Sequence, residues 1–120
     1  MGAVPKTITI FKGDYSDLRS VVNVGEKIQP GYFALEVERI FRKGWLPVVA
    51  LAELPSRGSY TAVYVPPVKT SVLLVRGQDD VVRAFHNVCT HRGNKLVPDG
   101  TSGKRPAFAC PFHAWSFALD

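Results

Sequence analysis

The sequence predicts a mostly β domain that is preceded by one amphipathic helix. Glycine and proline recur along the chain, 10 and 9 times in 120 residues, and short runs of β-branched and aromatic residues lie between them. That alternation is typical of short strands joined by turns. One segment instead has helical spacing. A chain of this length with 46% hydrophobic and 21% charged residues has the composition of a single globular domain.

The helical pattern lies in residues 32–43. Its apolar residues recur at i, i+4, i+7 and i+8, which places them on one helical face: Phe33, Val37, Ile40 and Phe41. Gly44 is a natural end for this helix. The residues before it look irregular, apart from a short strand expected over residues 7–11. We therefore divide the chain into an N-terminal extension, 1–44, and a main domain, 45–120.

Strands are expected to make up most of the main domain. Their predicted ranges are 45–51, 59–65, 71–76, 81–86, 106–110 and 115–119. Residues 77–80 have the composition of a hairpin turn between the third and fourth of these strands. Residues 90–105 are rich in Gly, Pro and charge, and they predict a long loop. A long loop in a compact domain usually serves a function.

The net charge of +5 is concentrated in the last third of the chain. Residues 81–119 contain one acidic residue, Asp99, and five basic ones: Arg83, Arg92, Lys95, Lys104 and Arg105. These charges are either solvated loop residues or a docking face for an acidic partner. The sequence has no long basic stripe of the kind that binds nucleic acid.

No apolar run reaches the roughly 18–20 residues that cross a bilayer, and the start does not resemble a secretory signal. We therefore expect a cytoplasmic protein without membrane contact.

Two cysteine–histidine pairs carry the chemistry of this sequence. They read Cys89-Thr-His91 and, eighteen residues later, Cys110-Pro-Phe-His113. Two thiolates and two imidazoles fit either a structural zinc site or a 2Fe–2S cluster in which two His replace two Cys on one iron. A third reading is that these are unrelated core residues. Zinc sites commonly group Cys with Cys and His with His, whereas each half here is mixed, which favours the cluster.

The residues around these pairs resemble the two cluster loops of Rieske non-haem iron oxygenases. These enzymes are the α subunits of ring-hydroxylating dioxygenases and their relatives. The resembling segments are Asn87-Val-Cys89-Thr-His91-Arg92-Gly93 and Cys110-Pro-Phe-His113-Ala-Trp115, and upstream Phe33 to Trp45 with Leu46-Pro-Val and Glu53-Leu-Pro. The resemblance covers about residues 32–120. The family usually has Tyr at the position of Phe112, Gly at that of Ala114, and often Tyr at that of Phe117. Respiratory Rieske proteins are less similar, because they carry an extra cysteine in each loop and a membrane anchor.

The resemblance implies a Rieske-type antiparallel β-sandwich with a small cluster-binding subdomain. Cys89 and Cys110 would hold the inner iron of a 2Fe–2S cluster, and His91 and His113 the outer one. Backbone N–H groups of both loops would bond the cluster sulfides, and Trp115 would shield the cluster. The docking face would be shaped by Arg92, Lys95, Lys104 and Arg105. A potential towards the low end of the Rieske range, about −150 to +300 mV, is implied.

The implied function is one-electron transfer within an oxygenase. The electron donor would be a ferredoxin or a flavin-containing reductase, and the acceptor the catalytic iron, usually in a neighbouring subunit. That iron needs two His and a carboxylate, but the chain has three His in all and two serve the cluster, leaving His86 as a structural or surface residue. We therefore expect a truncated α subunit that lacks the catalytic domain. Its exposed sheet edge favours a homo-oligomer.

Two other functions fit parts of the sequence. A freestanding Rieske ferredoxin has a similar length, but such carriers lack the helix and the Trp45-Leu46-Pro47 segment. A zinc-stabilised Cys2His2 binding module has no redox role. Zinc proteins are colourless whereas Rieske proteins are red-brown, so absorbance separates these two classes.

Overall fold

A computed structural model describes residues 25–120, and the strand expected over residues 7–11 lies outside that range. The chain begins with helix α1, Pro30–Glu36, which continues as a π-helical turn, Val37–Phe41. Short 3-10 turns follow at Leu51–Glu53 and Pro66–Val68. The strands are β1 Ser59–Val65, β2 Thr70–Arg76, β3 Val82–His86, β4 Ser102–Lys104, β5 Phe108–Ala109 and β6 Ser116–Phe117. The prediction of a mostly β fold with one small helix is confirmed.

The strands form two antiparallel sheets. The larger sheet has the order β3-β2-β1-β4, and the smaller one pairs β5 with β6. Strands β1 to β3 lie where the sequence predicted them, to within a residue, and the turn at residues 77–80 joins β2 to β3. Its closing bond runs from the Gly77 N–H to the Val81 carbonyl, at 2.8 Å. The register aligns Tyr60 with Val75 and Leu73 with Phe85.

Three predicted segments differ from the structure. Residues 45–51 form no strand and join neither sheet. Pro47 donates no backbone hydrogen bond, which disfavours pairing there. The predicted loop 90–105 contains β4, which pairs with β1 through Thr61 and Ser102. The last two strands are only two residues each, because backbone pairing between them is limited to Phe108 with Phe117 and Ala109 with Ser116.

The predicted helix exists, but its apolar stripe is not buried. Pro30 occupies a first-turn position, so the helix starts two residues earlier than expected. The Arg42 N–H then bonds to the Val37 carbonyl, an i to i+5 contact that widens the turn. This wider turn breaks the 3.6-residue period on which the stripe depends, and Phe33 and Ile40 stay 47% and 57% exposed.

The core joins the two sheets and contains both cysteines. It consists of Tyr60, Ala62, Leu73, Val75, Cys89, Leu96, Val97, Phe108, Cys110 and Leu119. The rings of Tyr60 and Phe108 meet edge to face, 5.1 Å apart, and the Arg105 guanidinium lies 5.4 Å from the centre of the Tyr60 ring. Because each cysteine is a core residue, the packing of the domain fixes where the two thiols lie.

A buried asparagine fastens the segment after β3. The Asn87 side chain donates to the Val97 carbonyl at 2.7 Å and accepts from the Val97 N–H at 3.2 Å. Its amide also donates to the Ser71 hydroxyl, which in turn bonds to Asp99. Lys95 and Ser71 hold the pKa of Asp99 below its usual value. The loop over residues 87–97 is therefore closed at its base by hydrogen bonds between protein groups.

No helix within residues 25–120 has the length and apolar character that a membrane span requires.

Candidate metal centre

The two cysteine–histidine segments are closed by the same pair of backbone hydrogen bonds. In loop 1, residues 89–94, the Gly93 N–H bonds to the Cys89 carbonyl at 2.9 Å, and the Cys89 N–H bonds to the Asn94 carbonyl at 2.7 Å. In loop 2, residues 110–115, the Ala114 N–H bonds to the Cys110 carbonyl at 2.9 Å, and the Cys110 N–H bonds to the Trp115 carbonyl at 2.8 Å. Each loop is thus a compact turn that begins at its cysteine.

Both turns close through a residue with positive φ. That residue is Gly93, at 72°, in loop 1 and Ala114, at 59°, in loop 2. Glycine adopts this left-handed conformation without strain, whereas a residue with a Cβ does not. The sequence departure at Ala114 therefore falls on the one position of loop 2 that favours glycine.

Replacing Ala114 by glycine is therefore expected to stabilise the domain. Relief of the left-handed strain, about 1–2 kcal/mol, exceeds the roughly 0.5–1 kcal/mol that the freer unfolded chain costs. We expect a net gain of about 0.5–1 kcal/mol in the free energy of unfolding, measured by urea denaturation. Gly93→Ala is the matched variant in loop 1 and should lower the same quantity. A loss of stability in Ala114→Gly would contradict this interpretation.

The four predicted ligands are divided by burial into two pairs. Cys89 and Cys110 are 2% and 4% exposed, and neither forms a disulfide. His91 and His113 are exposed, and their ring centres lie 5.0 Å apart. The loops thus bring two thiols together inside the domain and two imidazoles together at its surface.

The surroundings of Cys110 favour a thiolate. The backbone N–H of Phe112 lowers the pKa of this thiol most, and the His113 N–H, the Cys89 thiol and the Asn94 amide act in the same direction. Thiolates are the form of cysteine that binds metals. Hydrogen bonding within loop 2 therefore lowers the pKa of the Cys110 thiol against the opposing effect of burial, which favours the form that coordinates metals.

Aromatic side chains flank both imidazoles. The Trp115 ring stacks on His91 with centres 4.7 Å apart and planes 5° from parallel, and the Phe112 ring lies 4.0 Å from that of His113. Trp115 is 50% exposed and Phe112 is 58% exposed. Trp115 thus lies against one candidate ligand, and half of its surface faces solvent.

Most of the basic residues predicted as a docking face have other partners. Arg83 pairs with Asp79 at 2.6 Å, and Lys95 pairs with Asp99 at 2.7 Å. Lys104 bonds to the Ser56 hydroxyl, and Arg105 packs on Tyr60. Arg92, beside His91, is exposed and forms no ion pair within residues 25–120. Of the five, Arg92 is the one whose place beside a candidate ligand suits a docking role.

Two residues of the site were missed by the sequence reasoning. Asn87 was recognised as part of the first motif, but its role in closing the loop base was not. Asn94 lies one residue beyond that motif, and its side-chain amide reaches the Cys110 sulfur at 4.0 Å. A polar residue immediately after the glycine of loop 1 was the available signal.

The donor set fits a two-iron cluster better than a single zinc ion. Within the described residues, no three His, Cys, Asp or Glu side chains are grouped as ligands of one metal ion. A tetrahedral zinc site needs four ligands around one point. A Rieske cluster instead takes two thiolates on one iron and two imidazoles on the other, which matches the two separate pairs.

The chain belongs to the Rieske [2Fe-2S] domain family, whose model matches residues 44–120. Its cofactor is therefore a Rieske-type 2Fe–2S cluster. Rieske oxygenase subunits are among its relatives, which confirms the resemblance drawn from the two motifs.

Three known proteins illustrate the relationship. The glycine betaine monooxygenase oxygenase subunit of Chromohalobacter salexigens is 40% identical over 91 residues, 76% of this chain and 20% of its own length. A quaternary ammonium Rieske monooxygenase, whose structure was described for carnitine oxidation and inter-subunit electron transfer, is 41% identical with a TM-score of 0.68 over 75% of this chain and 24% of its own. Naphthalene 1,2-dioxygenase with bound indole is 33% identical, with a TM-score of 0.64 over 72% of this chain and 19% of its own. The chain thus spans about a fifth to a quarter of these relatives.

Proposed function

We propose that this chain is the electron-accepting domain of a Rieske oxygenase and transfers one electron at a time. Cys89 and Cys110 would hold one iron of the cluster, and His91 and His113 the other. The observation that carries this proposal is the division of the four side chains into a buried thiol pair and an exposed imidazole pair. When bound, the cluster supplies a one-electron couple whose potential is raised by replacing thiolates with neutral imidazoles.

The residues of the chain perform three tasks in this function. The core holds Cys89 and Cys110 away from water, which protects the sulfur side of the site. Loops 1 and 2 present His91 and His113 at the surface, where a partner can approach them closely. Trp115 stacks on His91 and the tilted Phe112 ring lies against His113, so that both orient the imidazoles and cover part of the site with apolar surface.

The first test is electron paramagnetic resonance of the dithionite-reduced protein, combined with analysis of iron and acid-labile sulfide. We expect a rhombic signal with an average g value below that of all-cysteine ferredoxins, because imidazole ligates one iron. Iron and sulfide should be equimolar. A protein with no signal and one zinc per chain would refute electron transfer and identify a structural metal module.

The partners in this proposal follow the similarity to whole oxygenases. A ferredoxin or flavin-containing reductase would donate the electron at the face around Arg92, and a catalytic domain in a neighbouring subunit of a cytoplasmic homo-oligomer would accept it. The relative described for inter-subunit electron transfer supports that arrangement. Higher identity to the quaternary ammonium enzymes than to naphthalene dioxygenase favours a quaternary ammonium substrate over an aromatic one for the parent enzyme.

A further inference from the structure

Asn94 is the residue through which loop 1 reaches the cysteine of loop 2. Its backbone carbonyl accepts the Cys89 N–H at 2.7 Å. Its side-chain nitrogen donates to the Lys95 carbonyl at 2.8 Å and lies 4.0 Å from the Cys110 sulfur. One half-buried residue therefore contacts both candidate cysteine ligands, one through its backbone and the other through its side chain.

The bond to the Lys95 carbonyl determines which end of the Asn94 amide faces the sulfur. A carbonyl oxygen only accepts hydrogen bonds, so the amide nitrogen and not the amide oxygen must be its neighbour. An amide nitrogen carries two N–H donors. One is taken by the Lys95 carbonyl, and the other is left for the Cys110 sulfur.

We propose that Asn94 is a positioning residue that raises the reduction potential of the Rieske centre through its side-chain hydrogen bond to the Cys110 sulfur. This inference rests on the proposed function, because it takes Cys110 as an iron ligand. Adding an electron makes the site more negative, and an N–H donor at a ligand sulfur stabilises that negative charge. Hydrogen bonds to the sulfurs are among the established determinants of such potentials.

The side chain can be tested without disturbing the loop closure. The bond from the Cys89 N–H ends on the Asn94 backbone, so it is retained when the side chain is replaced. Asn94→Leu removes the donor at similar size, and Asn94→Gln keeps an amide. Thr90→Val is the matched control: it removes a polar group next to Cys89 whose hydroxyl makes no hydrogen bond to either cysteine within the described residues.

The experiment is a spectroelectrochemical titration of the cluster-loaded proteins at one fixed neutral pH. In Asn94→Leu we expect the reduced-to-oxidised ratio at a given ambient potential to fall about threefold to tenfold, where tenfold corresponds to about 59 mV for one electron. Asn94→Gln should lose less, and Thr90→Val should match the wild type. An unchanged potential in Asn94→Leu, or an equal fall in Thr90→Val, would overturn the inference.

Failure to assemble a cluster is also informative. If Asn94→Leu does not load, pulsed ENDOR of the reduced wild-type protein with 15N-labelled asparagine gives the answer: coupling to a side-chain nitrogen supports the bond, and its absence overturns it. If the wild-type protein itself lacks equimolar iron and sulfide, the proposed function fails, which is a distinct result from an unchanged potential in a loaded variant.

Discussion

Replacing either His91 or His113 by alanine is expected to abolish the cluster. Each replacement would leave one iron with a single protein ligand, so visible absorption, iron and sulfide should fall to near zero. Both imidazoles are exposed. Exposed substitutions usually change the free energy of unfolding by less than about 0.5 kcal/mol, so a loss of the cluster would not reflect a general loss of the fold. Far-ultraviolet circular dichroism would verify that the fold persists.

His86 provides the matched control for this experiment. It is the one histidine of the sequence outside the two cysteine–histidine pairs, lies at the end of β3 and is also exposed. We expect His86→Ala to retain the iron, the sulfide and the visible spectrum of the wild type. A double variant, His91→Ala with His113→Ala, that kept the full spectrum would refute the ligand assignment.

The sequence predicted the parts of the fold that depend on local patterns. Strand β1 alternates β-branched residues with others, β2 and β3 are short runs rich in apolar residues, and the turn at residues 77–80 between them has the composition of a hairpin. The cysteines and histidines could be found because their spacing is itself the signal. These features depend on neighbouring residues and not on distant ones, so they could be predicted from the sequence alone.

The features that the sequence did not predict depend on tertiary contacts. Strand β4 is three residues of Ser, Gly and Lys without alternation, and it is a strand because the edge of β1 pairs with it. The candidate strand 45–51 had a suitable composition, but it pairs with no strand of either sheet, and its Pro47 lacks a backbone donor. The prediction of an apolar helical face from Phe33 to Phe41 assumed a regular 3.6-residue period, and the π-helical turn interrupts that period.

The matched loops explain how a short sequence motif becomes a site with an inner and an outer side. Each cysteine begins a turn whose closing bonds tie it to the core, and each histidine lies two or three residues further, where the turn faces solvent. The shift of one residue between the loops, His91 at the second position after its cysteine and His113 at the third, leaves both imidazoles exposed. The division by burial therefore follows from loop geometry as well as from residue type.

Replacing Phe108 by alanine is expected to lower the free energy of unfolding by about 3–5 kcal/mol, the usual cost of removing a large aromatic ring from a core. The Phe108 side chain is 2% exposed and packs edge to face against Tyr60. Since small domains are stable by only about 5–15 kcal/mol, this loss would remove a large part of the total. Urea denaturation of the cluster-loaded protein measures it.

The same replacement is expected to weaken the hold on Cys110, because β5 leads directly from Phe108 into loop 2 and Cys110 belongs to the same core cluster. Iron should therefore be released at a lower urea concentration than in the wild type. Phe33→Ala is the matched control, since Phe33 is the same residue type, lies in α1 outside both cysteine–histidine loops and is 47% exposed. We expect it to change stability by less than about 0.5 kcal/mol. Equal losses in the two variants would show that the Phe108 ring does not connect the core to the metal centre.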